Sequence, residues 1–295
     1  MPLSAPLLEQ TLRGQMLEVI KQPHRPLPQL PGLLLPEIDQ GRTKLLDEVV
    51  LCIATVGWCA VRLGANAATL AGAALESTRA FPLMRPGKVV DPATGVVRSG
   101  VDPCGVPRGD RFSQVHDETV LRGGASRWPA LYELDSAIER VGVALAQTAK
   151  KCPSLLPFEL TGRSDGMIAC FPGNGAEYGP HLDSNLHRGH NSGLDPRKLT
   201  CICYLNAGWR EADGGALCIH DPEGSCWHTV LPSADTLVLF RSDLVLHRVA
   251  AAHKWRHALT VFFQGEYTDA GPGGARSAAA IKAARSRRVD LQKWR

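Results

Sequence analysis

Hydrophobic and polar positions change texture once along the chain. In the first half, apolar residues recur at helical spacing, and from about 161 onward they come in short runs cut by turn signals. Apolar positions 131, 134, 138, 141 and 145 fall on one helical face, which predicts an amphipathic helix over 131–150. Stretches 43–54 and 65–79 also read as helices, the second because it is rich in alanine and leucine without breakers. A short strand is expected at 57–61. The later runs, 167–171, 199–205, 216–220, 227–231, 236–240, 245–249 and 257–263, are short apolar segments separated by turn signals. Many short strands at such spacing argue for a sandwich or barrel rather than for βαβ units. The expected fold class is mainly β with supporting helices, a jelly-roll core with α helices packed on one face.

The remaining stretches set the domain boundaries. Residues 1–43 hold a short amphipathic run and then a proline-rich one, Gln22-Pro-His-Arg-Pro-Leu-Pro-Gln-Leu-Pro, which denies a continuous helix and reads as an extended lead-in. Residues 44–268 form one folded domain. Within it, 80–107 carries prolines and glycines without periodicity and reads either as a spacer or as a mobile cover over a site. Residues 269–295 form a basic tail in which Asp290 is the one acid after Gly271.

Composition narrows the function only a little. Net charge is +4 and charged residues make up 21%, too mild a balance to argue for nucleic acid as partner. No apolar run reaches the roughly 18–20 residues that span a bilayer. The N-terminus lacks the basic-then-apolar order of a secretory signal. Nine cysteines, an odd count at irregular spacing, read as reduced thiols. The expectation is a cytoplasmic monomer, with the nucleus as the alternative compartment.

Chemistry enters with His181 and Asp183. Two positions apart on an extended backbone, they leave the same face. In Val245-Leu-His247-Arg-Val249, alternation sets His247 on a face with Val245 and Val249. Two imidazoles and one carboxylate make the facial triad that suits ferrous iron and leaves positions open. Nine residues past His247, Arg256 begins a strand that places Arg256, Ala258, Thr260 and Phe262 on a shared face. A guanidinium and a hydroxyl in an apolar pocket suit a dicarboxylate, because arginine grips carboxylates bidentately. That outlines an iron and 2-oxoglutarate site.

Three separated runs carry a resemblance: Gly162-Arg-Ser-Asp-Gly-Met-Ile-Ala-Cys-Phe-Pro-Gly-Asn-Gly-Ala-Glu-Tyr-Gly-Pro-His-Leu-Asp183, then Leu199-Thr-Cys-Ile-Cys-Tyr-Leu-Asn-Ala-Gly-Trp209 through Gly214-Gly215, then His247 to Phe263. Together they resemble the iron/2-oxoglutarate prolyl 4-hydroxylases, in particular the hypoxia-inducible-factor prolyl hydroxylase branch, over 105–267. The resemblance implies a double-stranded β-helix, with the oxygenase core at about 160–267. It implies His181, Asp183 and His247 as iron ligands and Arg256 as partner of the distal carboxylate of 2-oxoglutarate. Tyr204, Thr260, Tyr178, Val249 and Met167 would line the co-substrate pocket, and Arg108, Asp110 and Lys198 the substrate entrance. Iron(II), 2-oxoglutarate, O2 and L-ascorbate are the implied cofactors, and a proline-containing protein or peptide the implied substrate, converted to 4-hydroxyproline as 2-oxoglutarate gives succinate and CO2. Oxygen sensing goes with that branch. Two positions depart from it: Phe171 stands where the branch carries tyrosine, and Phe262 where tryptophan is more usual.

Competing readings remain for several residues. His187 and His190 sit in a polar loop, and His257 falls on the outward face if Arg256 points in. Cys201 and Cys203 form a C-x-C with no second pair, which reads as strand core. Asp110 is expected to pair with Lys198 or Arg197. An oxygenase of the same fold acting on nucleic acid or a small metabolite, and a barrel scaffold without turnover, are the alternative functions.

Overall fold

A computed structural model describes residues 24–26, 29–90, 97–100, 108–151, 155–184, 195–221 and 226–268. Its order is β1 (Leu30–Leu33), α1 (Leu34–Asp39), α2 (Lys44–Thr55), β2 (Trp58–Arg62), α3 (Ala67–Ala80), β3 (Arg111–Gln114) and α4 (Pro129–Lys151). Then come β4 (Phe158–Arg163), β5 (Met167–Phe171), β6 (Ala176–His181), β7 (Arg197–Tyr204), β8 (Leu217–Asp221), β9 (Cys226–Val230), β10 (Thr236–Arg241), β11 (His247–Ala252) and β12 (Arg256–Tyr267). The larger sheet runs β1-β2-β10-β7-β12-β5-β3 and ends on the short strand Arg85–Pro86, with β4 also paired to β12. The smaller sheet runs His24–Pro26, β9, β8, β11, β6. Two facing sheets of largely antiparallel strands make the expected jelly-roll.

Period-two alternation builds two cores from one sheet. On β7 and β12, Leu199, Cys201, Cys203, Leu259 and Val261 face the helices, where they meet Leu131, Leu134, Ile138, Val141 and Leu145 of α4. Burying each such side chain stabilises the fold by roughly 1.5–3 kcal/mol. The opposite faces carry Ile202, Tyr204 and Ala258 inward, toward Leu217 and Ile219 of the smaller sheet. The C-x-C pair is thus strand core. Contact between α4 and β12 is close at one point: a Cβ on Gly142 would lie 2.2 Å from the Phe263 ring, so only glycine lets the helix seat there. Asn66 caps α3 by accepting from the Ala68 N–H at 2.8 Å.

Part of the lead-in belongs to the packed body. β1 pairs in parallel with β2, and Leu34 and Leu35 of α1 are buried against the helical core. Leu34 and Leu35 supply the apolar contact that anchors the lead-in, while Leu33 stays exposed. Within 80–107, Lys88–Val90 pairs with Val97–Ser99 as a two-stranded ribbon. His187, His190 and the basic tail lie outside the described residues.

Candidate active site

A bulge brings the first ligand candidates together. Tyr178 pairs with Val249 and His181 with His247, so three steps along β6 match two along β11. The extra residue re-aims His181 at its neighbour. The two imidazole centroids lie 4.2 Å apart, and ligand atoms of His181, Asp183 and His247 fall within 4.8 Å of one another. His181 Nε2 is 3.5 Å and His247 Nε2 3.7 Å from the same atom, Asp183 Oδ1. The far nitrogens are held by backbone: Nδ1 of His181 lies 2.9 Å from the Gly179 carbonyl, and Nδ1 of His247 3.0 Å from the Val245 carbonyl. Those bonds select the tautomer whose Nε2 lone pair faces the cluster.

Electrostatics keep the set ready to ligate. Burial, with His181 beside it, pushes the His247 imidazole down to about 4 despite the pull of Asp183, so it is neutral at pH 7. Burial works against the Asp183 charge, but His247, His181 and the Thr200 hydroxyl together hold its carboxyl well below the usual range.

The cluster opens on a cavity of about 370 Å³. His181, Asp183, His247, Arg256, Thr260, Tyr178, Val249, Met167, Arg108 and Asp110 all line it, as does Phe171. Tyr204 lies behind, fully buried, with its ring 5.0 Å from the Arg256 guanidinium carbon. Phe171 sits at the same distance from that carbon. Arg256 is 2% exposed, and its Nε donates to the Gly215 carbonyl at 2.7 Å. That carbonyl is presented by two successive glycines, Gly214 and Gly215, both at positive φ, where side-chain-bearing residues are strained.

The entrance differs from the expectation. Asp110 pairs with Arg108, not with Lys198 or Arg197: Arg108 Nε and Nη2 donate to it at 2.7 and 2.5 Å. Arg108 also lies flat on Tyr178, 3.5 Å above its ring, and Tyr178 stacks on His181 at 3.8 Å. Lys198 points away from the cavity. Its ammonium donates to the Asp195 carbonyl at 2.7 Å and sits over Tyr267. Arg197 lines the cavity instead, stacked on Phe262 and paired with Asp195. The cause is a register shift between Arg197 and Leu199, which reverses the alternation that Thr200, Ile202 and Tyr204 set.

Sequence reasoning also missed a hydroxyl pair behind the cluster. Thr200 Oγ1 donates to Asp183 Oδ2 at 2.7 Å and lies 2.9 Å from Ser242 Oγ. Parity with Tyr204 could have found Thr200; Ser242 reaches it only through the fold. Gln114 was missed too, and it brings to the cavity wall a buried Oε1 that has no partner among the described residues. His257 faces the helices, with Nδ1 2.9 Å from Ser77 Oγ.

Residues 166–264 match the family model of the 2OG-Fe(II) oxygenase superfamily. Human prolyl hydroxylase EGLN3 is 30% identical over 74% of this chain and 82% of its own length. The chain belongs to the iron(II)- and 2-oxoglutarate-dependent prolyl hydroxylase family. Human Egl nine homolog 1 is 32% identical over 52% of the chain, which spans only 36% of that relative. A Pseudomonas putida prolyl-4-hydroxylase crystal structure superposes with a TM-score of 0.56 and 26% identity, covering 75% of this chain and 99% of that one.

Iron(II), 2-oxoglutarate and O2 are what such a hydroxylase uses, and the residues present fit the first two. Two imidazoles and a carboxylate form the donor set for iron. The buried Tyr204 hydroxyl lies beside the Arg256 guanidinium, which can only donate to it, so among the described residues its own proton has no acceptor; burial pushes it up to about 12, so it stays a donor. Among the described residues no carboxylate pairs with Arg256, whose charge burial opposes. A bound dicarboxylate would supply both groups with a partner.

Proposed function

We propose that this chain is a peptidyl-proline 4-dioxygenase. His181, Asp183 and His247 hold the iron, and Arg256, Tyr204 and Thr260 hold 2-oxoglutarate. One observation carries the reading: the three ligand candidates and a buried arginine, with no carboxylate partner among the described residues, share a single cavity of about 370 Å³. When bound, iron and 2-oxoglutarate supply the oxidation, in which the co-substrate loses CO2 to become succinate and one atom of O2 enters a C–H bond of proline. The protein's part is placement. Arg256 and Tyr204 fix the distal carboxylate, which sets how far the keto acid reaches toward the ligand cluster. Apolar walls from Met167, Val249 and Ala258 exclude water around it.

At the entrance, the Arg108–Asp110 pair clamps Tyr178 against His181 and so shapes the mouth through which a prolyl peptide reaches the iron. Arg197 and Phe262 form the opposite lip. Lys198 has no part in it. Ascorbate would keep the iron ferrous between turnovers, and an oxygen-sensing role would follow from the affinity for O2.

The test is mass spectrometry of proline-containing peptides after incubation with iron, ascorbate and 2-oxoglutarate. The expected result is gain of one oxygen atom on proline, lost in His181→Ala and Asp183→Ala. Succinate release driven by an oligonucleotide or a metabolite, and by no proline peptide, would overturn the substrate class. Absence of iron-dependent succinate under every condition would overturn the enzyme.

A further inference from the structure

A second set of metal-ligand side chains stands on the smaller sheet, outside the cavity. Asp221 ends β8 and Cys226 begins β9, and the two are paired across the hairpin, as Ile219 is with His228. Residues opposite each other in an antiparallel pair share a face, and so do residues two apart on one strand. Asp221, Cys226 and His228 therefore leave the sheet on the face that carries Ile219 into the barrel interior. A carboxylate oxygen, a thiol sulfur and an imidazole nitrogen from the three lie within 4.8 Å of one another. None of them lines the cavity.

We propose that Asp221, Cys226 and His228 form a second metal site, suited to Zn(II). Zinc takes thiolate, imidazole and carboxylate at about 2.0–2.3 Å in tetrahedral geometry, which sets neighbouring donors roughly 3.3–3.7 Å apart. His228 Nε2 is 3.5 Å from Asp221 Oδ2, beyond the usual hydrogen-bond length and inside that range. The thiolate separates the two sites by preference: the first offers only nitrogen and oxygen, whereas sulfur draws zinc to the second. Three protein ligands leave a fourth position to water.

The site would brace the strand that carries an iron ligand. Ile219 pairs with His228 on one side and with His247 on the other. At the usual strand spacing, His228 and His247 are then about 10 Å apart across the sheet. The Trp58 ring, with its centroid 5.3 Å from that of His228, is a built-in optical reporter.

Cobalt(II) is the probe, because a thiolate ligand gives it a charge-transfer band in the near ultraviolet that nitrogen and oxygen ligands do not. The full-length, metal-free His181→Ala/Asp183→Ala protein, which lacks the first site, is expected to bind one equivalent, show the thiolate band and lose Trp58 fluorescence. Wild type is expected to bind two equivalents. Adding Cys226→Ser to the double variant should remove the band and the remaining equivalent. Asp221→Asn and His228→Gln leave the buried thiol in place and serve if that variant does not fold; each should weaken cobalt binding at least tenfold. A double variant with no thiolate band, a band that survives Cys226→Ser, or unchanged affinity in both Asp221→Asn and His228→Gln would overturn the site. The readout is independent of turnover, so it stands or falls apart from the hydroxylase reading.

Discussion

Thr200 Oγ1 donates to Asp183 Oδ2 at 2.7 Å, while both imidazole Nε2 atoms gather around Asp183 Oδ1. The carboxylate is thereby divided, with one oxygen tied to the barrel wall and the other turned to the ligand cluster. A metal bound there meets a monodentate aspartate whose orientation is fixed in advance.

Thr200→Val removes that bond at nearly constant volume. Outer partners of ligating groups are worth about 10–100-fold in metal affinity. Iron or cobalt affinity should fall by that order in Thr200→Val and largely return in Thr200→Ser. Equal affinities in a metal titration of all three proteins would show that Asp183 needs no support.

Arg256→Gln leaves an incoming carboxylate without its cation. Losing one partner of a buried, hydrogen-bonded charge pair costs about 2–5 kcal/mol, roughly thirtyfold or more in affinity. The KM for 2-oxoglutarate should rise accordingly, and Arg256→Lys should recover only part, since an ammonium lacks the planar fork. Tyr204→Phe should show a smaller rise. Calorimetric titration with 2-oxoglutarate checks all three, and an unchanged Kd in Arg256→Gln would move the co-substrate elsewhere.

Asp110→Asn breaks a buried ion pair whose side chains are 6% and 3% exposed. Stranding the Arg108 charge should cost about 3–5 kcal/mol of stability, read as a lower denaturation midpoint at constant slope. Because Arg108 holds Tyr178 on His181, KM for the peptide should rise as well. A folded variant with wild-type stability and peptide affinity would remove this pair from the entrance.

Acid should weaken the fold through His257. Burial, and then Arg256 nearby, push its imidazole down to about 4 from 6.5. The folded protein keeps it neutral against Ser77 and Thr78 while the unfolded chain binds a proton below 6.5. Stability is thus full above pH 6.5 and falls as pH drops toward 4, by on the order of 1 kcal/mol per unit. Unfolding of the metal-free protein across that range should show the slope, reduced in His257→Gln. Identical slopes in the two proteins would count against it.

Much of the fold was legible because its signals are local. Each strand run from 167 to 263 carries its own alternation, and the α4 face at 131, 134, 138, 141 and 145 is the buried one. The ligand candidates were legible by residue type and spacing, while the bulge in β6 that turns His181 toward His247 comes from pairing with β11. Three things were not. Leu34 and Leu35 are buried where α1 packs on α4 and α2. Asp110 was assigned a distant partner, although the arginine two residues back on its own strand lead-in reaches it. Asp221, Cys226 and His228, the proposed second metal site, meet because a hairpin lays one strand's end against the next.

The sequence by itself determined which residues of an unbroken strand share a face, His247 with Val249 and Arg256 with Ala258 and Thr260, because alternation within a regular strand is a property of the chain alone. Tertiary structure decided which of Arg197 and Lys198 enters the cavity. That choice rests on one bulge against β12, and a bulge arises from pairing between strands, which no single stretch of chain contains.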